Sequence, residues 1–278
     1  PDGTEIAPHL RMRAEFGLFA GVRPVKKYRN TPNILSDERA DAIDLIILRE
    51  STEGLFASRG KGTVEDDAVA RDTMEITRAT SEKLFDFAFH LARRRQAKGV
   101  GSGRVTCVDK SNVFVSMAFF RKIFDERASN HADLTADHAY VDAAALELVR
   151  KPWTFDVMVM ENMFGDILSD LGGGLVGGMG LAPCAEIGLE HALFQPAHGS
   201  APDIAGQGKA NPTAMLVSTA MMLDWLGERR ADAAMVRAGN ALDTAVTKAY
   251  DDGAVSPFEL GGDTSTEAFT NAVVERIE

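Results

Sequence analysis

The chain has 278 residues, 45% of them hydrophobic and 26% charged, which is typical of a globular protein with a large core. Its formal net charge of −11 argues against nucleic-acid binding, since no basic stripe offsets the acidic excess. Cys107 and Cys184 lie in apolar surroundings without metal-ligand spacing, so we expect no disulfide framework. Because no apolar run is long enough to cross a membrane and no signal peptide is visible, we predict a cytoplasmic protein with no membrane partner.

The predicted elements alternate between strands and helices along the chain, which indicates an α/β fold. Residues 10–29 are amphipathic, and Arg23-Pro24 is expected to end any helix there and to begin an extended segment. Apolar runs predict strands over 43–48, 105–108 and 155–160. Helical patterns cover about 77–95, 113–126, 138–150, 212–226, 231–251 and 265–277. Residues 57–72 are predicted to form a loop or extended arm, and the Gly- and Pro-containing segment 194–212 a long functional loop.

Two carboxylates, Asp166 and Asp170, follow the third predicted strand at helical i and i+4 spacing, which places them on one face of a helix. Ile167, Leu168 and Leu171 are expected to pack on the other side. Clustered carboxylates repel one another and favour a bound cation, for which Mg²⁺ or Mn²⁺ is suited by its preference for oxygen ligands. The alternative is a solvated acidic helix end stabilised by the helix dipole.

Each predicted strand ends in charge: Arg49 after the first, Lys110 after the second, and the two aspartates after the third. Open α/β sheets bind ligands at the carboxyl ends of their strands. The charges therefore predict an anionic substrate held by arginine and metal, unless they only mark where the strands meet solvent.

Five ordered motifs carry a resemblance to a known family. The most specific are Asn162-Met-Phe-Gly-Asp-Ile-Leu-Ser-Asp170 and Pro196-Ala-His-Gly-Ser-Ala-Pro-Asp-Ile-Ala-Gly206. Supporting motifs are Leu18-Phe-Ala-Gly-Val-Arg-Pro24, Arg49-Glu-Ser-Thr-Glu-Gly54 and Val108-Asp-Lys-Ser-Asn112. From about residue 10 to its end, the chain resembles the metal-dependent β-decarboxylating dehydrogenases of isopropylmalate, isocitrate, homoisocitrate, tartrate and D-malate.

The resemblance implies a two-domain isopropylmalate-dehydrogenase-like fold, with open mixed sheets flanked by helices. Residues 1–18 and 179–278 are expected to form a discontinuous dinucleotide-binding first domain. Residues 19–178 are expected to form the second domain, for substrate, metal and dimerisation. The chain opens on Pro1-Asp-Gly-Thr4, and we expect an N-terminal part of the family fold to be missing.

The resemblance also implies roles for individual residues. Arg13, Arg23 and Arg49 are expected to bind the substrate carboxylates, with Asn112 near the substrate and nicotinamide. Asp166 and Asp170 are expected to hold Mg²⁺ or Mn²⁺ together with Asp142 of a second subunit, which also lends Lys110 for proton transfer. The predicted adenosine-binding residues are His198, Gly199, Ser200, Ala201, Asp203, Ile204 and Asn211. Asp203 favours NAD, because a carboxylate accepts from ribose hydroxyls and repels a 2′-phosphate.

Two positions depart from the family pattern. Phe56 stands where a tyrosine usually helps to protonate the enolate, and a phenyl ring donates no proton. Gln195 stands where glutamate is common. We therefore predict either a proton donor other than residue 56 or a slow or altered decarboxylation step.

The predicted function is NAD- and metal-dependent oxidative decarboxylation of a 3-substituted (R)-malate by a homodimer with shared active sites. The isopropylmalate type is the first choice, and tartrate, D-malate and (homo)isocitrate remain alternatives. Two other classes stay open: a catalytically weak or regulatory subunit, and a phosphate-handling enzyme of the same fold.

Overall fold

The computed structural model describes residues 8–277. The helices are α1 (Pro8–Glu15), α2 (Arg78–Ala97), α3 (Val115–Ala128), α4 (Val141–Arg150), α5 (Asn162–Val176), α6 (Thr213–Arg230), α7 (Ala233–Asp251) and α8 (Thr266–Val274). The strands are β1 (Ala20–Lys26), β2 (Asp44–Glu50), β3 (Thr63–Glu65), β4 (Val69–Arg71), β5 (Arg104–Asp109), β6 (Thr135–Tyr140), β7 (Val157–Met160), β8 (Pro183–Ile187) and β9 (Ala192–Pro196). The alternation confirms the predicted α/β class.

Seven strands form one open mixed sheet in the order β6-β5-β7-β2-β1-β8-β9. The four strands from β6 to β2 run parallel, whereas β1, β8 and β9 pair antiparallel with their neighbours. The carboxyl ends of β6, β5, β7 and β2 therefore share one edge, where Asp142, Lys110, Asn162 and Arg49 follow or end their strands. This edge is the position at which α/β sheets bind ligands.

The central strands of the sheet are buried on both faces. Alternate residues of each strand point to opposite sides, and each side is covered by helices. Ile46 and Leu48 join a cluster that contains Phe85 and Phe89 of α2. Leu45 and Ile47 face the other way, into a cluster with Leu168 of α5 and residues of α7 and α8. Two helical layers thus hold the strand ends in fixed positions.

The structure around Pro24 differs from the prediction, which placed the end of a helix at Arg23-Pro24. The helix α1 ends at Glu15, and both Arg23 and Pro24 lie inside β1. The strand tolerates the proline because β8 pairs only with Ala20 to Val22. At Pro24 the strand β1 therefore has a neighbour on one side only, so the missing N–H of the proline breaks no hydrogen bond to β8.

Two further sequence predictions are corrected. Residues 138–140 are the end of β6 and not the start of a helix, since their polar side chains suit the exposed edge strand of the sheet. The predicted loop over residues 194–212 begins later, because its first three residues belong to β9, which forms a hairpin with the unpredicted strand β8 and extends the sheet. The predicted arm over residues 57–72 contains the exposed hairpin β3–β4.

The predicted domain boundaries fall between elements of the same sheet, since β8 and β9 belong to the predicted first domain and β1 to the second. The division remains a prediction, and residues 1–7 of its first segment lie outside the described residues. Among the helices of residues 8–277, none is long and apolar enough to cross a membrane.

Candidate active site

Helix α5 brings its two aspartates to the edge of the sheet next to β2. Glu161 caps the helix by accepting hydrogen bonds from the amides of Met163 and Phe164 at 3.0 and 2.8 Å, a carboxylate arrangement that stabilises helix N-termini. Gly165 lets the helix lie directly on β2, because a Cβ there would stand 2.6 Å from the Cβ of Arg49. The start of α5 is therefore held against the strand end that carries Arg49.

Arg49 is 2% exposed and joins α5 through two side chains. Its Nε and Nη2 donate to Asn162 Oδ1 at 2.9 and 2.7 Å, and its Nη1 pairs with Asp166. Burial, together with the nearby Arg23, lowers the pKa of Arg49 to about 10. The guanidinium remains charged at neutral pH and also lies 5.3 Å from the ring centre of Phe56.

Arg23 reaches the same helix from β1. Its Nη1 donates to Ser169 Oγ at 2.6 Å and lies 3.8 Å from Asp166 and 3.9 Å from Asp170. Arg23, Arg49, Asp166 and Asp170 are called the arginine–aspartate cluster below. The arginines are buried, whereas the aspartate side chains are 43% and 65% exposed. The carboxylates are therefore accessible to a cation from solvent. The guanidiniums are fixed by hydrogen bonds to α5, in an arrangement that suits an anionic ligand.

The arginine–aspartate cluster has two oxygen donors of the kind that a hard divalent cation prefers. Asp166 and Asp170 lie one turn apart on α5, and burial raises the pKa of Asp170, an effect that the adjacent Asp166 increases. A cation relieves such repulsion between carboxylates. Within the described chain, no group of three or more His, Cys, Asp or Glu side chains is arranged to hold a metal, so these two aspartates provide only part of a ligand set.

Of the three residues predicted to pack on the apolar side of α5, two do so and one does not. Leu168 is 2% exposed and Leu171 is partly buried, but Ile167 is 60% exposed. At about 100° per residue, Ile167 lies a quarter-turn from Asp166 and only Leu168 lies opposite the carboxylates. The prediction for Ile167 was therefore wrong.

Arg13, the third predicted substrate arginine, comes from α1 and is 6% exposed. Its Nη2 donates to Glu186 Oε1 at 2.5 Å, and Glu186 on β8 is fully buried. Burial alone raises the pKa of a carboxyl group, but Arg13 and Arg23 outweigh it and leave the pKa of Glu186 below its usual value. Glu186 is therefore a carboxylate that interacts with Arg13 and Arg23, two of the arginines predicted to bind substrate.

Lys110 and Asp142 form a separate pair at the same edge of the sheet. Lys110 Nζ donates to Asp142 Oδ1 at 2.6 Å, and this hydrogen bond is the main cause of the lowered pKa of Asp142. Among residues 8–277, neither residue forms a hydrogen bond or ion pair with the arginine–aspartate cluster. Asn112 is exposed beside Lys110, so the structure places these three residues together but apart from Asp166 and Asp170.

The predicted adenosine-binding loop follows β9. His198, Gly199, Ser200, Ala201 and Asp203 are exposed, and Ile204 is partly buried. Asn211 is buried, where its Oδ1 accepts from Thr213 and its Nδ2 donates to Glu259 at 3.1 Å. Asn211 thus anchors the end of the loop to α6, while no heavy atom lies within 4 Å of a Cβ built at Gly199, Gly206 or Gly208. The glycines of this loop are therefore not packed against other parts of the described chain, and its role in cofactor binding remains a prediction.

Sequence reasoning missed several residues that build the site. Asn162 and Ser169 lie inside a recognised motif, but only the structure shows that they hold Arg49 and Arg23. Glu186 lies on β8, which was not predicted as a strand. Its signal is a lone acid in the apolar run Leu181–Ile187, which indicates a buried ionic partner.

Comparisons with known proteins agree with this geometry. A 3-isopropylmalate/3-methylmalate dehydrogenase of Methanocaldococcus jannaschii is 40% identical over 269 residues, covering 96% of this chain and 76% of the relative. A 3-isopropylmalate dehydrogenase of Listeria monocytogenes is 40% identical over 276 residues, covering 97% of this chain and 73% of the relative. The structure of isocitrate dehydrogenase from Methylococcus capsulatus matches with a TM-score of 0.85 at 37% identity, covering all of this chain and 78% of the other. The family profile described as isocitrate/isopropylmalate dehydrogenase matches residues 3–277, so this chain belongs to that family.

Proposed function

We propose that the chain catalyses NAD- and divalent-metal-dependent oxidative decarboxylation of a 3-substituted (R)-malate, with isopropylmalate as the preferred type of substrate. The arginine–aspartate cluster is the observation that carries this proposal. It sets two buried guanidiniums beside two accessible carboxylates at the ligand-binding edge of the sheet. The names of the relatives at 40% identity support the isopropylmalate type.

The arginines bind and orient the substrate. A guanidinium holds a carboxylate through two parallel hydrogen bonds and keeps its charge even when buried. Arg49 is fixed by Asn162, and Arg23 by Ser169, so little side-chain freedom is lost when a carboxylate binds. Arg13 completes the set from α1.

Asp166 and Asp170, with Asp142 of a second subunit, hold Mg²⁺ or Mn²⁺. A bound divalent ion supplies Lewis-acid polarisation at the C2 oxygen of the substrate. Lys110 of the second subunit takes the proton of the C2 hydroxyl. Its hydrogen bond to Asp142 orients the amine for this transfer, which general base catalysis requires.

The loop after β9 binds the nucleotide cofactor. Asp203 is exposed in a short 3-10 helix directly after Ala201, whose φ of 43° turns the chain sharply. Its carboxylate accepts from the ribose hydroxyls and repels a 2′-phosphate, which favours NAD over NADP. His198, Ser200 and Ile204 belong to the same loop and are the other side chains proposed to contact the adenosine.

The homodimer is part of the proposal because, among residues 8–277, no third carboxylate joins Asp166 and Asp170 as a metal ligand. Helices α4 and α5 also expose large apolar side chains: Leu146 at 55%, Val149 at 48% and Ile167 at 60%. Large apolar side chains left exposed on two helices that pack together are typical of an interface. A second subunit that covers this face can bring Lys110 and Asp142 to the arginine–aspartate cluster.

The test is the production of NADH with Mn²⁺ from isopropylmalate, tartrate, D-malate, homoisocitrate and isocitrate, with NADP⁺ in place of NAD⁺ as a parallel series. We expect isopropylmalate to give the highest kcat/KM and NAD⁺ to exceed NADP⁺. Absence of activity on every 2-hydroxy diacid would contradict the proposal and favour a regulatory subunit, for which Phe56 is the motivating residue.

A further inference from the structure

A buried carboxylate lies among the substrate arginines, and no step of the proposed reaction uses it. Glu186 is fully buried on β8 and binds Arg13 at 2.5 Å. A Cβ at Gly21 would stand 3.1 Å from its Oε2 and 2.8 Å from Ser51 Oγ. The glycine of β1 therefore provides the space in which this acid lies beside the end of β2.

Two buried polar atoms of this region have no hydrogen-bond partner among the described residues: Arg13 Nε and Arg23 Nε. Each belongs to a side chain that is at least nine-tenths buried. Buried polar groups without partners are costly in a folded protein. Their presence on two substrate arginines indicates a site shaped for a polar ligand.

Glu186 changes the charge that this site offers to a ligand. The arginines Arg13, Arg23 and Arg49 are met by the carboxylates Glu186, Asp166 and Asp170. The charges of the three arginines are thus balanced by three carboxylates of the same chain. Without Glu186, the charge of Arg13 would be left uncancelled and the site would carry one more positive charge.

We propose that Glu186 is a specificity-determining positioning residue that fixes Arg13, cancels its charge and makes the site select dicarboxylates over tricarboxylates. The inference rests on the proposed function and narrows its substrate class. Since charges interact strongly at short range in a buried environment, one uncancelled arginine changes the preference for an additional carboxylate.

The direct test is equilibrium binding of glutarate and tricarballylate, which differ only by one carboxylate, to the protein with saturating Mg²⁺. Wild-type protein is expected to bind glutarate more tightly than tricarballylate. Glu186→Gln keeps an oxygen that accepts from Arg13 but removes the charge. It is expected to raise the affinity for tricarballylate relative to glutarate by at least about tenfold.

Asp156→Asn is the matched control, because Asp156 is also a buried carboxylate paired with an arginine, Arg95, but lies away from the arginine–aspartate cluster. Its binding ratio is expected to equal that of the wild type. An unchanged ratio in Glu186→Gln would overturn the inference. Tighter binding of tricarballylate than glutarate by the wild type would overturn it without any variant.

Steady-state kinetics separates this inference from the proposed function. In Glu186→Gln, the ratio of kcat/KM for isocitrate to that for isopropylmalate should rise mainly through KM, since Glu186 acts on binding through Arg13. A wild-type enzyme that is active on isopropylmalate but has a ratio insensitive to Glu186→Gln would contradict the inference alone. A wild type inactive on every diacid would instead contradict the proposed function.

Discussion

The arginine–aspartate cluster and the Lys110–Asp142 pair lie at the same edge of one sheet but differ in how completely they are held. Arg23 and Arg49 are at most 7% exposed and are fixed by α5, whereas Lys110 and Asp142 are 24% and 68% exposed in their side chains and bind each other. A buried arginine needs its partners within the chain. An exposed pair can contact a second subunit, so we interpret Lys110 and Asp142 as residues that contribute to the active site of the partner chain.

Among the substitutions that test the buried cluster against the exposed pair, Arg49→Lys is expected to have the largest effect on activity. Lysine cannot keep the forked contacts to Asn162 and Asp166, so we expect kcat/KM for isopropylmalate to fall by about 100-fold. Arg95→Lys is the matched control, since Arg95 is also buried but binds Asp44 and Asp156 away from the site. The control should lower Tm without raising KM. Equal kinetic losses in both variants would show that the effect at Arg49 is only structural.

A second variant tests the exposed side of the comparison. Ile167→Asp places a charge on the uncovered apolar face of α4 and α5, so the dimer should dissociate into folded monomers that lack activity. Sedimentation velocity and circular dichroism measure assembly and folding separately. Leu189→Asp alters an equally exposed residue in the turn between β8 and β9 and should leave the dimer intact. An active monomer of Ile167→Asp would contradict the shared site.

The metal prediction concerns the accessible carboxylates of the arginine–aspartate cluster. Asp170→Asn should raise the Mn²⁺ concentration for half-maximal activity by about tenfold, because a neutral amide replaces a charged ligand. Asp251→Asn, at the exposed end of α7, should leave it unchanged. Activity of Asp170→Asn with an unaltered Mn²⁺ requirement would exclude Asp170 as a ligand.

The smallest effect is expected at Phe56, whose ring lies beside Arg49. Phe56→Tyr adds a hydroxyl group that can donate a proton, so the rate of CO₂ release should rise severalfold. The measurement follows CO₂ release and NADH formation over time in both proteins. An unchanged rate of CO₂ release would mean that residue 56 takes no part in protonation.

The sequence predicted the central part of this molecule better than its edges. The strands β2, β5 and β7 have continuous apolar runs, because both of their faces are buried, and such runs are recognisable without tertiary information. The edge strand β6 is polar and exposed, and its last residues resemble the start of a helix. The strand β1 contains Pro24, which is tolerated only because β8 stops pairing at Val22. The extent of this pairing cannot be read from the local sequence around Pro24.

The site shows the same division. Arg49, Asp166 and Asp170, which the structure brings together, could be predicted as a group because each lies at or after the end of a recognisable strand, whereas Lys110 lies at the same edge but pairs with Asp142. The partnership of Arg13 with Glu186 could not be predicted, since it joins residues 173 positions apart through an unpredicted strand. The exposure of Ile167 was missed because helical periodicity alone does not show which flank of α5 remains uncovered.

Complementation between inactive variants tests the shared active site most directly. Lys110→Ala and Asp166→Asn are each expected to be inactive as homodimers, because every site lacks one essential group. Subunit exchange should restore activity to roughly a quarter of the wild-type value, since half of the randomly mixed dimers are heterodimers with one complete site. If both groups instead act within one chain, mixing will restore no activity, and the account of a site shared between subunits will be wrong.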